Sequence, residues 1–378
     1  MSNDTPCVVR GLGWPTRPRP ESADRAHPVG WSGVPSARVD PVEAPSAGSA
    51  AAAGTAAVSR ETEPETVEPV SRETETIVSA ELPDTPLAQA VARDVRRRKD
   101  LEGLRLPRPA RTRVMTVANQ KGGVGKTTSS VNLAAALAAS GLEVLVIDTD
   151  PQGNASTALG ADHRAEVPSI YDVLVDGTPM AEVIQDCPDI EGLRCAPATI
   201  DLAGAEIELV SLVARETRMK TAIAAYLEHC TSAGRRVPDY VLIDCPPSLG
   251  LLTINAFVAA DEVLIPIQCE YYALEGLSQL LKNIEMIRTH LNPGLHVSTI
   301  LLTMFDARTR LAAQVADEVR EHFPEQVLAT TVPRSVRISE APSYQQTVIT
   351  YDPQGTGALS YREAAREIAE RGATKEQA

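Results

Sequence analysis

Several features that would place this protein in a familiar class are missing from its sequence. The six cysteines among its 378 residues are scattered, with no Cys-x-x-Cys spacing, which favours buried or inert thiols in a reducing cytoplasm over zinc or disulfides. No uninterrupted apolar run approaches the roughly 18 residues of a membrane-spanning helix. The Pro-rich start does not resemble a secretory signal. The net charge of −14 argues against a surface that is basic all over, but it is compatible with a local basic patch for nucleic acid.

The composition divides the chain into three regions. Residues 1–85 have very little Leu, Ile or Phe, so they cannot bury enough apolar area to offset their ordering entropy, and we predict a disordered Pro/Ala/Glu-rich tail. Residues 86–110 are predicted to form a short basic helix and a Pro-containing linker. For the basic cluster at 96–99, both a solvated helix face and a contact with DNA phosphates stay open. Residues 111–378 are predicted to be one folded domain.

The folded domain alternates β-branched runs with helical patterns. Near-continuous apolar strands separated by helices predict an α/β fold, a doubly wound and mostly parallel sheet with helices on both faces. A ligand crevice should lie at the carboxyl ends of its strands. Strands are predicted at 112–118, 143–149, 239–244, 262–267, 296–303 and 327–332, and helices at 126–140, 202–230, 271–291, 309–322 and 358–372.

A glycine-rich loop, Lys-Gly-Gly-Val-Gly-Lys-Thr-Thr, stands between a predicted strand and a predicted helix, as a phosphate-binding loop requires. Its glycines let backbone N–H groups approach an anion, and the helix N-terminus adds partial positive charge. Lys126 is expected to reach the β- and γ-phosphates of a nucleotide, and the Thr127 hydroxyl to ligate Mg²⁺. The predicted nucleotide-binding residues of the loop are Lys121, Gly122, Gly123, Val124, Gly125, Lys126, Thr127 and Thr128.

Two further strands end in carboxylates. Asp148 and Asp150 follow one of them and are two residues apart, so their side chains are expected to face the same side. Asp244 ends a second apolar strand in the Walker B arrangement, which predicts a place near Mg²⁺. A magnesium nucleotide site needs such carboxylates to orient metal-bound water and a hydrolytic water. Each alone would fit a polar turn after a strand, but beside the glycine loop they indicate a nucleotide site.

Together these stretches resemble the ParA family of DNA-partition ATPases, close to its chromosomal ParA/Soj type, over about residues 111–368. Three more segments carry the resemblance, at 272–276, at 303–309 and at 332–343. It implies a P-loop ATPase of the deviant Walker A type with ATP and Mg²⁺ as cofactors. It also implies that Asp150 positions the hydrolytic water and that Asp148 lies near the metal ion.

The resemblance further implies an ATP-dependent homodimer in which Lys121 reaches the phosphates of the partner's nucleotide. A cation supplied across an interface neutralises transition-state charge only when two chains meet, as an arginine finger does. We therefore expect Lys121 to have no role within its own subunit and to act in catalysis together with Lys126 and Asp150. Pro333 and Ser335 match an adenine-contacting stretch, although the family more often has Asn at the place of Ser335.

Two kinds of partner follow from the resemblance. The family's ATP dimer binds DNA without sequence preference, and Arg308 and Arg337 occupy the matching positions, with Arg310 and Arg334 as neighbours; a solvated surface charge is the alternative for each. A ParB-type centromere-binding protein is expected to stimulate hydrolysis. These partners imply a cytoplasmic, nucleoid-associated protein without a membrane anchor, and the N-terminal tail is a candidate contact for a polar scaffold.

The tail contains Val-Ser-Arg-Glu-Thr-Glu twice, at 58–63 and at 70–75. Low-complexity duplication is the simpler explanation. The expected partner, however, loads at a palindrome close to GTTTCACGTGAAAC, which in frame encodes Val-Ser-Arg-Glu-Thr. We therefore hypothesise that the gene carries two such sites, and codons of any other kind at these positions would disprove it.

Several other functions fit the sequence less well. A MinD-like membrane ATPase needs an amphipathic C-terminal helix with a basic face and bulky apolar residues, whereas 363–372 have mixed charge and one bulky apolar residue. A nitrogenase-reductase-like enzyme needs cluster-ligating cysteines, and Cys245 has no matching second one. An ATP-binding DNA adaptor without hydrolysis is disfavoured by Asp150. Autorepression by a helix-turn-helix is not expected, because the tail has no apolar periodicity.

Overall fold

The computed structural model describes residues 85–271 and 273–375. The predicted disordered tail, apart from residue 85, lies outside the described residues, as do both repeats and Tyr272. All of the described residues belong to one compact unit.

Eight strands are present in the described residues, and they form one sheet. They are β1 (Arg113–Val117), β2 (Val144–Asp148), β3 (Gln185–Asp186), β4 (Leu193–Ala196), β5 (Tyr240–Asp244), β6 (Glu262–Gln268), β7 (His296–Phe305) and β8 (Val327–Pro333). Their order across the sheet is β3-β4-β2-β5-β1-β6-β7-β8, and every pair is parallel except β3 with β4. The expected doubly wound, mostly parallel α/β sheet is therefore confirmed.

Helices cover both faces of this sheet. Neighbouring residues of one strand fall in different apolar clusters, Val146 in one and Ile147 in the other, because successive side chains of a strand point to opposite faces. The helices are α1 (Pro86–Leu101), α2 (Lys126–Ala139), α3 (Asn154–Ala158), α4 (Ile170–Leu174), α5 (Met180–Val183), α6 (Leu202–Leu209), α7 (Arg218–Ser232), α8 (Leu251–Ala259), α9 (Ala273–His290), α10 (Arg310–His322), α11 (Val336–Glu340), α12 (Val348–Tyr351) and α13 (Thr356–Lys375), with a 3-10 helix at Ala341–Tyr344.

The six predicted strands are all present, and their ends differ from prediction by at most two residues. The short strands β3 and β4 were not predicted, because neither has a long apolar run. The helix predicted at 202–230 is wrong as one element, since the chain leaves helical geometry between α6 and α7, where Ala214 has a φ of 54°. The side chain of Asn255 bridges this break, donating to Arg215 O at 2.7 Å and accepting from Met219 N at 3.2 Å. A contact from α8 thus satisfies backbone groups that a continuous helix would have paired.

The strand order brings three predicted segments to one place. β5 lies between β2 and β1, and all three run parallel, so their carboxyl ends meet at one edge of the sheet. The glycine loop follows β1, and the predicted carboxylates end or follow β2 and β5. This edge is the crevice where open α/β sheets bind ligands.

Candidate nucleotide site

The glycine loop connects β1 to α2. Gly123 and Gly125 have φ angles of 74° and 89°, in the left-handed region that strains any residue with a Cβ. No heavy atom lies within 4 Å of the position that a Cβ would take at Gly122 or Gly123, so this side of the loop faces open space. The Thr303 hydroxyl of β7 donates to Val124 O at 2.8 Å and thereby attaches the loop to β7. Because Gly125 caps α2 without a side-chain hydrogen bond, the first N–H groups of α2 suit an anion.

Lys126 is the first residue of α2 and is only 7% exposed. Its Nζ donates to Lys121 O at 3.4 Å, a long hydrogen bond. Burial lowers the pKa of this amine, and the nearby Asp244 opposes that shift. A buried ammonium with such weak compensation favours an anionic ligand, because burying a charge is costly without a partner.

Asp244 ends β5 and is fully buried. The Ser130 hydroxyl donates to its Oδ1 at 2.7 Å, whereas Oδ2 is buried and has no hydrogen-bond partner within the described residues. Burial, followed by the charge of Asp148, raises the pKa of Asp244, and the hydrogen bond from Ser130 and the nearby Thr127 hydroxyl oppose this. An orphaned carboxylate oxygen beside a threonine hydroxyl fits a hydrated Mg²⁺, which prefers oxygen ligands and retains several waters.

Asp148 lies directly opposite Asp244 on the neighbouring strand and is also fully buried. Its Oδ2 accepts from Ser156 Oγ at 2.7 Å and from Ser156 N at 2.9 Å, and its Oδ1 accepts from Asp150 N at 3.1 Å. Burial raises the pKa of Asp148 to about 6, although the hydrogen bonds from Ser156 lower it. Asp148 therefore both faces Asp244 and holds the segment between β2 and α3.

Asp150 lies past the end of β2 and is half-buried. Its Oδ1 accepts from Gln152 N at 3.1 Å, a local turn that orients the carboxylate. Burial lowers the pKa of Lys126, and the charge of Asp150 partly opposes that shift, so the two side chains interact electrostatically. An oriented and partly solvated carboxylate at this edge is suited to hold a water.

Lys121 has a partner that the sequence did not predict. Its Nζ pairs with Glu270 Oε2 at 2.8 Å, with side chains 36% and 49% exposed. Lys121 was expected to have no role within its own subunit, but it pairs there with Glu270, which is 149 residues away, follows β6 and reaches the loop only through the fold. Such an exposed pair contributes about 0–1 kcal/mol, so Lys121 can exchange this partner for another anion at little cost.

Pro333 and Ser335 lie at the neighbouring end of β8. Pro333 pairs in register with Phe305 of β7, and Ser335 caps α11 without a side-chain cap hydrogen bond. Since Thr303 of β7 also contacts the glycine loop, this stretch borders the same edge of the sheet. Its contact with adenine stays a prediction.

The predicted DNA-binding arginines are both exposed. Arg308 pairs with Asp306 through Nε–Oδ1 and Nη2–Oδ2 contacts of 2.9 and 2.8 Å, and its side chain is 89% exposed. Arg337 lies 3.3 Å from Glu340 Oε2 and stacks over the Tyr351 ring, 5.9 Å from its centroid. These exposed ion pairs hold the guanidinium groups in place but contribute little energy, so phosphate oxygens can compete for them.

Sequence reasoning missed four residues that build the site. Ser130 carried a usable signal, because it lies four residues after Lys126 and therefore one turn along the same face of α2. Thr303 belongs to a segment noted only for its family resemblance. Ser156 and Glu270 carried no local signal, since their contacts depend on how distant segments pack.

Three further observations on the described residues concern the cysteines, the length of the helices and groups that could hold a metal ion. Among the described residues five cysteines are free and buried, as predicted. No described helix is long and apolar enough to span a bilayer. The same part of the chain contains no group of three or more His, Cys, Asp or Glu residues placed to hold a metal ion.

The fold and this edge of the sheet define a P-loop nucleotide-binding protein with a deviant Walker A loop. Residues 112–297 match the family model of an AAA domain. The chain is 50% identical over 260 residues to the sporulation initiation inhibitor protein Soj of Bacillus subtilis, covering 69% of this chain and 99% of the relative. It is 47% identical over 263 residues to the chromosome partitioning protein ParA of Myxococcus xanthus, covering 70% and 90%. The chain belongs to the ParA/Soj family of chromosome-partitioning proteins.

Solved structures agree with the fold. A cobyrinic acid a,c-diamide synthase from Mycobacterium smegmatis with bound ADP and magnesium superposes with a TM-score of 0.59 at 36% identity, covering 70% of this chain and 97% of that one. The cell division ATPase MinD of Pyrococcus furiosus superposes with a TM-score of 0.55 at 23% identity, covering 68% and 99%. At that identity the second likeness supports the fold alone.

Proposed function

We propose that this protein is an ATPase that partitions DNA. It binds Mg²⁺ and ATP at the glycine loop, dimerises on ATP, binds DNA without sequence preference and hydrolyses ATP when a ParB-type protein stimulates it. The observation that carries the proposal is Lys121, a second loop lysine on an exposed and exchangeable ion pair with Glu270. A loop that only bound nucleotide would need Lys126 alone.

Nucleotide binding rests on the loop and the first turn of α2. Lys126 and the free N–H groups of α2 would hold the phosphates, and Pro333 and Ser335 would border the base. Thr127 and Asp244 would hold Mg²⁺, with Asp148 beside them, and the ion would supply charge neutralisation on the phosphates. The orphaned Oδ2 of Asp244 supports this role.

Hydrolysis would depend on Asp150 and on a second subunit. Asp150 orients the attacking water, since its own orientation is held by the turn to Gln152. Lys121 would leave Glu270 and contact the phosphates of the partner's nucleotide, so that turnover would require the dimer.

The partners follow from charge. Arg308 and Arg337 would contact DNA phosphates, which would place the protein on the nucleoid in the cytoplasm. A basic segment of the ParB-type protein would match the acidic surface of this chain, whose net charge is −14. The N-terminal tail would be free to bind a polar scaffold, and residues 111–378 would act as the ATPase domain.

A membrane-bound role is less well supported. A MinD-like anchor would present the apolar face of the last helix to lipid. In the described part of α13, Ala364, Ala365, Ile368 and Ala369 are instead buried in the core. The apolar face of this helix is therefore already used within the domain.

An ATPase and sedimentation assay of Lys121→Ala tests the proposal. We expect ATP binding to stay within about threefold while the ATP-dependent dimer and the DNA- and ParB-stimulated turnover fall at least tenfold, because an interfacial cation acts only between chains. Glu270→Gln is the matched control and should retain the dimer. A Lys121→Ala protein that dimerises and turns over normally would disprove the dimer mechanism, and a wild-type protein without stimulated turnover would indicate a DNA adaptor.

A further inference from the structure

Helix α1 and the linker after it concentrate positive charge on an acidic protein. Residues 86–111 contain eight Lys or Arg and three Asp or Glu, a net charge of +5, whereas the whole chain has a net charge of −14. This segment precedes residues 112–297, to which the family model corresponds. Its charge is therefore a property of this chain outside the matched domain.

Two of the arginines of α1 anchor the helix to the domain. Arg97 Nε donates to Glu363 Oε1 of α13 at 2.7 Å, a second contact joins Nη2 to the same carboxylate, and Nη1 lies 2.9 Å from Asp94 Oδ1. The hydrogen bond with Glu363 raises the pKa of Arg97. Arg98 Nη2 donates to Gln354 O at 2.7 Å. These bonds fix the orientation of α1 on the domain.

Three other cations of α1 remain on the outside. Arg93, Arg96 and Lys99 are exposed, follow one another at a spacing of three residues and make no ion pair with the described residues. Residues three apart lie next to each other on a helix surface, so the three form a continuous basic strip. Like charges held this close repel each other, and a polyanion would relieve that repulsion.

The strip lies next to the surface already proposed for DNA. Arg337 Nη1 contacts Tyr351 OH at 3.4 Å, and Arg98 of α1 bonds to Gln354, three residues further along the chain. Arg337 and the carboxyl half of α1 are thus both attached to the short segment 351–354. A duplex is long enough to contact both, because it presents one negative charge per roughly 1.7 Å of its axis.

We propose that the strip Arg93, Arg96 and Lys99 is a second DNA-phosphate contact, held beside Arg337 by the Arg97–Glu363 and Arg98–Gln354 bonds. This inference rests on the proposed DNA binding and adds a surface to it. In an ATP dimer two such strips would act on one duplex, so that their contributions multiply in the affinity. The contact carries no base specificity, since it involves phosphates alone.

The test compares two triple variants in the full chain. Arg93→Gln/Arg96→Gln/Lys99→Gln removes the strip, and Lys220→Gln/Arg235→Gln/Lys282→Gln removes the same charge from exposed positions on and after α7 and on α9. Both are titrated with a non-specific duplex, with a non-hydrolysable ATP analogue, over a series of salt concentrations. Nucleotide affinity, the ATP dimer and the thermal midpoint are measured in parallel to show that the fold is intact.

We expect the strip variant to bind DNA about tenfold more weakly at moderate salt, with a slope of log K against log salt that is shallower by about 2–3 per subunit. The control should match wild type within about twofold. Equal affinity and slope in the two variants would overturn the inference while wild-type binding and its loss in Arg337→Glu would still support the proposed function. Wild-type protein that ignores DNA would refute the proposed function itself, and binding to anionic vesicles in place of DNA would overturn both.

Discussion

The two ends of the central strands bury charges in opposite ways. At the amino ends, Arg113 of β1 makes 2.7 and 2.6 Å bonds to both carboxylate oxygens of Glu262, and it also donates to Tyr240 OH and Ile368 O. At the carboxyl ends, Asp244 keeps an oxygen with no partner in the described structure. Neighbouring strands of one sheet thus carry a closed ion pair at their amino ends, on β1 and β6, and a carboxylate with an unsatisfied oxygen at their carboxyl ends, on β5.

The difference shows in the protonation of the two carboxylates. Although burial opposes it, the bonds from Arg113 lower the pKa of Glu262. Burial raises the pKa of Asp244 to about 7, and the neighbouring Asp148 adds to the rise. The fold therefore favours the charged form of Glu262 at the amino ends of the strands and disfavours the charged form of Asp244 at the carboxyl ends. Buried polar groups left unsatisfied are typical of functional sites, because a ligand completes them.

The largest effect should come from a change at the carboxyl ends of the central strands, where the glycine loop lies. Lys126→Ala removes the buried cation of the loop, and we expect ATP binding to fall at least about 1000-fold because the phosphates lose their principal counter-charge. Calorimetric titration with ATP and Mg²⁺ measures it, and the exposed Lys282→Ala is the control. Binding at normal affinity would refute the assignment of the loop.

Breaking the Arg113–Glu262 ion pair at the amino ends of the strands should instead reduce the stability of the protein. Glu262→Ala leaves Arg113 buried without its partner, and we expect a loss of about 3–5 kcal/mol in the free energy of unfolding. Urea denaturation measures this loss. The double variant Arg113→Met/Glu262→Met should lose much less, because it removes both charges and keeps the volume. Equal losses in the two proteins would show that packing, and not charge, holds this end.

Asp150→Ala should affect turnover without affecting binding. We expect hydrolysis to fall by about 100-fold, because water loses its orienting group, while the ATP dimer stays locked on DNA. Single-turnover hydrolysis and the release of protein from immobilised DNA measure the two effects. Asp162→Ala, an exposed carboxylate paired only with Arg164, is the control. Rapid release from DNA would contradict the catalytic role of Asp150.

Arg337→Glu should spare nucleotide binding and dimerisation but weaken DNA binding about tenfold or more at moderate salt, because one phosphate contact becomes a repulsion. A salt titration of binding to a non-specific duplex measures it. Arg288→Glu, on α9, is an exposed control. Unchanged affinity would count against Arg337 as a DNA contact.

The smallest effect concerns pH. The pKa of Asp244 is higher in the folded protein than in the unfolded chain, so the unfolded chain loses this proton first and stability should fall as pH rises from about 4 to about 7. Asp244→Asn should remove that cost and raise the free energy of unfolding at pH 8 relative to wild type. Glu262 behaves oppositely, since its lowered pKa gives stability that is lost on acidification. Urea denaturation at several pH values measures both, and identical pH profiles for wild type and Asp244→Asn would disprove the destabilised carboxylate.

Local sequence patterns were sufficient to predict the fold class and several residues of the candidate nucleotide site. The apolar strands, the glycine loop and the acids at 148, 150 and 244 follow from the sequence, because burial on both faces of a parallel sheet and the geometry of a strand–loop–helix unit are local properties. These patterns predict a doubly wound and mostly parallel sheet, but they do not predict the order of its strands. The break between α6 and α7 could not, because Asn255 from α8 satisfies it.

Only the tertiary structure shows which charged groups have a partner among the described residues and which keep an atom without one. The sequence does not show how Lys121, Asp244 and Arg113 are paired, because the side chains that contact them lie more than 100 residues away in the chain. Folding gives Arg113 a closed pair with Glu262, gives Lys121 an exposed and exchangeable one with Glu270, and leaves one oxygen of Asp244 without a partner in the described residues. Electrostatic energy depends on distance and burial, which the order of residues does not specify.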